Sequence, residues 1–176
     1  MRLFVAFQFS PPIKDELAEI VRKIQRYAVQ GRFTRRENFH LTVVFIGETS
    51  DVDAVKRALD RVEAEKFTLQ INGLGKFRRE GGDILWLGID KNPALTNIHR
   101  QVYDNLVREG FKLEKRAFKP HLTLGRQVIL VRDFKPEEFW QELRPLSQEM
   151  RKISLMKSER INGQLIYTEI YAKELQ

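Results

Sequence analysis

His40-Leu41-Thr42-Val43 and His121-Leu122-Thr123-Leu124 are two copies of one pattern, 81 residues apart, in a chain with only three histidines. Imidazole titrates near neutrality. A neutral ring can accept a proton from an attacking oxygen while a protonated ring supplies one to a leaving oxygen. Two such rings on opposite sides of a phosphate could do both jobs without a covalent intermediate. A threonine hydroxyl two residues along could donate to nonbridging phosphate oxygens, where charge must be held through the transition state. A metal could assist, but this inventory does not require one. Zinc held by His40 and His121 is a weaker reading, because zinc sites take a third protein ligand and the sequence marks none.

These side chains need elements to present them. In a strand alternate residues share a face, so each copy would send its His and Thr to one side and its two aliphatics to the other. The offset of 81 extends further, laying Leu3-Phe4-Val5-Ala6 on Ile84-Leu85-Trp86-Leu87, Pro12 on Pro93, Leu17 on Ile98 and Val21 on Val102. Each half therefore reads as strand, proline-started helix, basic connection and H-L-T strand. Ser10 is expected to cap the first helix, whose apolar face is Ile13, Leu17, Ile20, Val21 and Ile24. Ser50-Asp51-Val52-Asp53 opens a second helix and Asn92-Pro93 a third, ended near Gly110. A short helix lies within Pro136 to Leu143. Strands are expected around Phe67 to Ile71, Ile153 and Ile166, with Gly73 to Asp83 a loop or irregular hairpin. The predicted fold is α+β and bilobal. Two pseudo-twofold-related lobes, with largely antiparallel sheets, line a central cleft, helices lie outside, and residues 1–176 form one domain of two interleaved lobes.

Composition narrows the function. At 42% hydrophobic residues, the chain is expected to fold rather than stay disordered. The longest apolar runs, such as Leu3 to Phe7, are too short to span a membrane, and Met1-Arg2 leads straight into a strand, so the expectation is a cytoplasmic protein. Zero cysteines exclude disulfides, thiolate metal sites and a cysteine nucleophile. A net charge of +7 favours polyanions, nucleic acid first. Basic residues mix with aromatics in Arg32-Phe33-Thr34-Arg35-Arg36, Lys76-Phe77-Arg78-Arg79 and Lys112 through Lys119. Any one run reads as a solvated loop, but the first and third lie just ahead of the histidine motifs.

The paired motifs, with Glu37-Asn38-Phe39 ahead of the first and Lys119-Pro120 ahead of the second, resemble the 2H phosphoesterase superfamily. Within it the chain is most similar to the RNA 2′,3′-cyclic phosphodiesterases, also called 2′-5′ RNA ligases. The likeness includes Leu85-Trp86-Leu87-Gly88 and the phrase from Phe118 to Arg126. It implies metal-independent opening of a 2′,3′-cyclic phosphate at an RNA end to a 2′-phosphomonoester. It implies His40 as proton donor and His121 as proton acceptor, although the near symmetry of the two motifs does not choose between them. Thr42, Thr123 and Arg126 would bind the phosphate. No cofactor, membrane or obligate protein partner is implied, and a monomer is expected. Reversal with an RNA 5′-hydroxyl in place of water would make a 2′-5′ linkage. Phe33, Arg36 and the Glu159-Arg160 that follows Ser158 depart from the family's pattern, whereas Gly163 and Tyr167 fit its closing segment. Strict alternation would turn Arg126 away from His121, so its role requires a bulge or strand end, which Gly125 permits.

A single H-x-T in a strand is usually a structural histidine beside an ordinary β-forming threonine. Two in matched register reverse that reading. His99, on a helix face with Leu95, Val102 and Tyr103, has no accompanying motif and is assigned no role. Trp86 reads as core. Two other functions stay open: an RNA-binding module of the same fold without turnover, and a phosphodiesterase for small cyclic nucleotides.

Overall fold

The computed structural model describes residues 1–176. In chain order it runs β1 (Arg2–Gln8), α1 (Pro11–Gln25), β2 (Ala28–Phe33), a 3-10 turn (Arg36–Asn38), β3 (His40–Glu48), α2 (Val52–Asp60), β4 (Phe67–Phe77), β5 (Asp83–Ile89), α3 (Pro93–Arg108), β6 (His121–Leu130), α4 (Pro136–Gln141), β7 (Leu146–Met150), β8 (Lys152–Ile161) and β9 (Gln164–Glu174). No helix is long and apolar enough to cross a membrane.

The helices begin where proline and polar side chains start them. Asp51 accepts from the Ala54 amide at 3.0 Å and Asn92 from the Leu95 amide at 3.1 Å, each filling a free donor of the first turn. Ser10 stands at the N-cap of α1, but its hydroxyl makes no cap bond. Pro11 and Pro12 have no amide to cap, and the Ser10 amide itself donates to Gln148 Oε1 at 2.8 Å. Two elements, β2 and β7, depart from the sequence expectation. The basic connection after α1 is partly a strand, β2. Of the two forms expected for Gly73 to Asp83, the structure has the irregular hairpin, with β4 continuing through a register shift to Phe77 and pairing with β5. β7, a five-residue edge strand, was not anticipated. β2 is exposed along most of its length, and β7 alternates but has only Leu146 and Met150 as apolar residues, too few to mark a strand in the sequence.

Two sheets result, ordered β3-β1-β8-β9 and β2-β6-β5-β4-β7, with every pairing antiparallel. The offset of 81 carries β1 onto β5, α1 onto α3 and β3 onto β6. It also carries most of β4 onto β8. β8 pairs with β1, and β4 pairs with β5. Each sheet therefore takes strands from both halves of the chain. The helices cross over as well, because α3 contacts β3 of the first sheet and α1 contacts β2 of the second.

One core follows from that interleaving. A single cluster of 32 buried residues includes Val5 and Phe7 of the first sheet together with Leu69 and Leu87 of the second. Phe7 and Phe67 meet edge to face at 5.4 Å between them. The opposite face of the first sheet carries a small separate cluster, Phe4, Ala6 and Met156, packed against Tyr167. That face lines the cleft.

Candidate active site

The two motif strands, β3 and β6, approach each other across the sheets, with Cα atoms within 8 Å. In both, the aliphatics are buried and the His and Thr half-exposed: Leu41 and Val43 against His40 and Thr42, Leu122 and Leu124 against His121 and Thr123. Both strands then bulge at the same place in the motif. Thr42 pairs with Ala6 but Val44 with Val5, and Thr123 pairs with Trp86 but Gly125 with Leu85. One extra residue reverses the face of everything that follows. Gly125 therefore turns inward, where a Cβ would come within 3.0 Å of Phe33 and Val128. Arg126 turns to the side of His121 and Thr123, exposed, its charge reaching both motif histidines. The residue that the repeat aligns with Arg126 is Phe45, 57% exposed and 6.1 Å from the Phe4 ring. One lobe thus offers the cleft a cation where the other offers a phenyl ring.

Backbone carbonyls orient both imidazoles in the same way. Nδ1–H of His40 donates to the Asn38 carbonyl and Nδ1–H of His121 to the Lys119 carbonyl, each at 2.7 Å and each two residues upstream. With Nδ1 donating, the neutral ring carries its lone pair on Nε2. The Thr42 hydroxyl donates to Nε2 of His40 at 2.9 Å. Aromatic rings wedge each imidazole in place. Phe4 and Tyr167 stand 5.0 Å from His40, and Phe77 stands 5.0 Å and Trp86 6.2 Å from His121. Trp86 is therefore half-buried on the cleft side, not in the core as its sequence context predicts. Its indole lies over Gly75, where a Cβ would come within 2.2 Å of the ring, and its Nε1 is buried without a partner.

Burial pushes both histidine pKa values below the usual range, against the opposing pull of the two carbonyls. The nearby charge of Arg126 adds to the depression at both, and Lys14 and His121 add further to it at His40. A carboxylate near the cleft, Glu169, is already engaged. Burial would raise its pKa, but hydrogen bonds from Ser154 at 2.6 Å, Lys152 at 3.1 Å and Gln8 at 2.8 Å outweigh that and hold it low. It is an acceptor tied to three donors, so it is poorly placed as a competing base.

The segment between β2 and β3 ties the two motifs together. The Thr34 amide and hydroxyl donate to the carbonyls of Leu124 (2.8 Å) and Thr123 (2.9 Å). Four residues later the buried Asn38 side chain donates to the Leu165 carbonyl at 3.0 Å, as does Arg35 at 2.6 Å. On the other side, His99 stacks flat on Phe118, with ring centroids 4.1 Å apart, and so braces the loop that ends in Lys119. Asn38, Tyr167 and Phe118 lie in the phrases that carry the family resemblance, but neither carbonyl contact nor the His99 stack has a signal in side-chain identity. Each basic run has a member already paired, Arg36 with Asp15 at 2.5 Å, Lys76 with Asp83 at 3.7 Å and Arg116 with Glu114 at 2.7 Å, and the cations whose charge reaches the motif histidines, Arg126 and Lys14, lie outside those runs.

Fold and site together define a two-sheet α+β protein with one imidazole and one threonine from each sheet at a shared cleft. Residues 11–162 match the family model of the 2′-5′ RNA ligase superfamily, and the chain belongs to that superfamily. It is 32% identical over 130 residues to the RNA 2′,3′-cyclic phosphodiesterase of Archaeoglobus fulgidus, covering 72% of each chain. It is 27% identical over 173 residues to the RNA 2′,3′-cyclic phosphodiesterase of Escherichia coli K12, covering 96% of this chain and 93% of that one. The crystal structure of E. coli LigT in apo form aligns with a TM-score of 0.82 at 24% identity, covering 99% of this chain and 96% of that one. LigT complexed with 3′-AMP gives 0.81 at 24% identity, covering 99% and 97%. At such identities the structural likeness is one of fold.

Proposed function

We propose that this chain hydrolyses the 2′,3′-cyclic phosphodiester at an RNA end to a 2′-phosphomonoester, with His40 and His121 as acid and base. The observation that carries the reading is that both imidazoles are held in one tautomer, by carbonyls at 2.7 Å, on two strands that approach each other from different sheets. In this reading Nε2 of His121 takes a proton from water as its oxygen attacks phosphorus. The bond from phosphorus to the 3′ oxygen breaks, and Nε2–H of His40 supplies the proton that oxygen needs. His121 gains one proton and His40 loses one, and solvent resets both. The direction rests on family resemblance. Thr42 and Thr123 donate to the nonbridging oxygens, and Arg126 balances their charge. Protonation of His40 helps here, since Nε2 then no longer accepts from Thr42, which releases the hydroxyl proton for phosphate and leaves Nε2–H for the 3′ oxygen. With an RNA 5′-hydroxyl attacking instead of water, the same ring opening would form a 2′-5′ linkage and leave the 3′ oxygen protonated.

Both imidazoles come from one chain, which supports a monomer of one domain spanning residues 1–176. An RNA substrate is in keeping with the net charge of +7 and with action in the cytoplasm. The reading calls for no metal. The test is a short RNA ending in 2′,3′-cyclic phosphate, incubated in chelator, with 2′- and 3′-phosphate products resolved. Wild type is expected to give the 2′-phosphate, and His40→Ala and His121→Ala each to lose turnover by at least about a hundredfold while still binding RNA. Full activity in both variants would remove the assignment. Activity lost in chelator and restored only by metal would revive the zinc reading.

A further inference from the structure

We propose that the cleft contains a second anion subsite, formed by Arg2 and Arg160 near Tyr167. It would take the phosphate on the 5′ side of the nucleotide whose cyclic phosphate is cleaved. The proposal rests on the function argued above and concerns which ends that site prefers. β1 and β8 pair without a bulge from Arg2 opposite Ser158 to Ala6 opposite Ser154. Arg2, Phe4 and Ala6 therefore share one face with Ser154, Met156 and Ser158, and alternation adds Arg160. This is the cleft face, because Phe4 lies 5.0 Å from both His40 and Tyr167. From His40 outward, the cleft thus passes a pair of rings and reaches two arginines.

Those arginines have no carboxylate partner. Glu48, opposite Arg2 on β3, bonds the Met1 amine at 3.3 Å, and Glu159 bonds Lys157 at 3.0 Å. Arg160 is held by the Gly163 carbonyl at 3.2 Å, which keeps its charge and most of its donors available. Tyr167 faces His40 edge-on and makes no hydrogen bond through its hydroxyl. Burial raises the pKa of that phenol, while the charges of Arg126, Arg2 and Arg160 all pull it down, so three guanidiniums from two sheets bear on one group. Like charges gathered without a counterion repel, and an anion between them relieves the repulsion. Guanidinium matches phosphate in shape as well as charge. In RNA the cyclic phosphate occupies the 2′ and 3′ oxygens and the chain continues through the 5′ oxygen. A nucleotide laid along the cleft with its cyclic phosphate at the histidines would direct its 5′ phosphate to Arg2 and Arg160.

The same subsite chemistry would accept a 5′ phosphomonoester or the diester of a longer chain. Three substrates separate these: a nucleoside 2′,3′-cyclic phosphate, the same compound with a 5′ phosphate, and a dinucleotide ending in 2′,3′-cyclic phosphate. Wild type is expected to prefer both phosphate-bearing compounds in kcat/KM. In Arg2→Ala/Arg160→Ala that preference should fall on the order of tenfold, and in Arg2→Lys/Arg160→Lys by less. Using the ratio cancels any general loss from misfolding. Preference for the dinucleotide alone assigns the subsite to a chain diester, and for the 5′-phosphorylated compound alone to a monoester. A ratio unchanged in the alanine variant, or no preference in wild type, overturns the subsite and leaves the proposed function standing. No turnover of any of the three by wild type removes that function, and the subsite with it.

Discussion

At the residue scale, the proposed chemistry rests on two ordinary histidines held in one arrangement by their surroundings. Each ring spends Nδ1 on a carbonyl and is enclosed by aromatics, so burial opposes its charge while its orientation stays fixed. In the free protein both rings are then neutral at neutral pH, yet acid–base catalysis needs one of them charged. The pH profile of kcat/KM is expected to be bell-shaped and centred below about pH 6.5, the ordinary value for histidine. An anionic substrate favours the imidazolium, so the kcat profile should lie to its alkaline side. A kcat/KM maximum well above neutrality would contradict the depressed values. The same shifts bear on stability. Because the folded pKa values are lowered, the unfolded chain takes up protons first, and stability should fall as pH drops below about 6.5 toward those values. Denaturant titrations across that range check the sign. Asn38 links this chemistry to its support. Asn38→Ala removes the bond to Leu165 and is expected to lower kcat about tenfold, with little change in KM and a stability loss of about 1 kcal/mol. Mixed His40 tautomers in nitrogen NMR would trace the loss to ring orientation, and a single unchanged tautomer would deny it.

At the scale of elements, the matched bulges in β3 and β6 do most of the placing. Without the one at Gly125, Arg126 would point into the core. In the hairpin of β4 and β5, Gly75 stands opposite Trp86, and its missing side chain lets the indole lie over the backbone, 6.2 Å from His121. A Cβ there would sit inside the indole, so Gly75→Ala must displace the ring. Because Trp86 is only half-buried and faces the cleft, the expected outcome is a loss of turnover larger than the loss of stability. Paired kinetics and thermal unfolding would show it. A fall in stability with kinetics intact would make Trp86 a packing residue only.

At the scale of the molecule, each sheet is completed by the other half of the chain, and one core joins them. The two lobes should therefore unfold together. Proteolytic cutting within the exposed turn at Arg78–Gly82 is expected to leave two fragments that stay associated, since β1 with β8 and β4 with β5 bridge the cut. Gel filtration of the nicked protein tests this. Fragments that separate in native buffer would show that each half holds itself together. Net charge acts at this scale too, and with +7 to screen, affinity for RNA should weaken as salt rises.

Local pattern by itself determined the helices, whose apolar faces, prolines and capping residues are all within a few positions of one another. It also determined the paired His and Thr faces and the repeat that relates β1 to β5 and β3 to β6, because alternation and offset are properties of the chain. The edge strands β2 and β7 escaped it, since β2 is exposed along most of its length and β7 is five residues long with only Leu146 and Met150 apolar. The exchange of β4 and β8 between sheets was equally hidden, because pairing partners lie more than a hundred residues apart for β1 and β8. Only the tertiary structure decided that Trp86 faces the cleft, that His99 braces Phe118, and that the carbonyls of Asn38 and Lys119 fix the two imidazoles. Those contacts depend on backbone atoms and on distance in space, and neither is written in side-chain order.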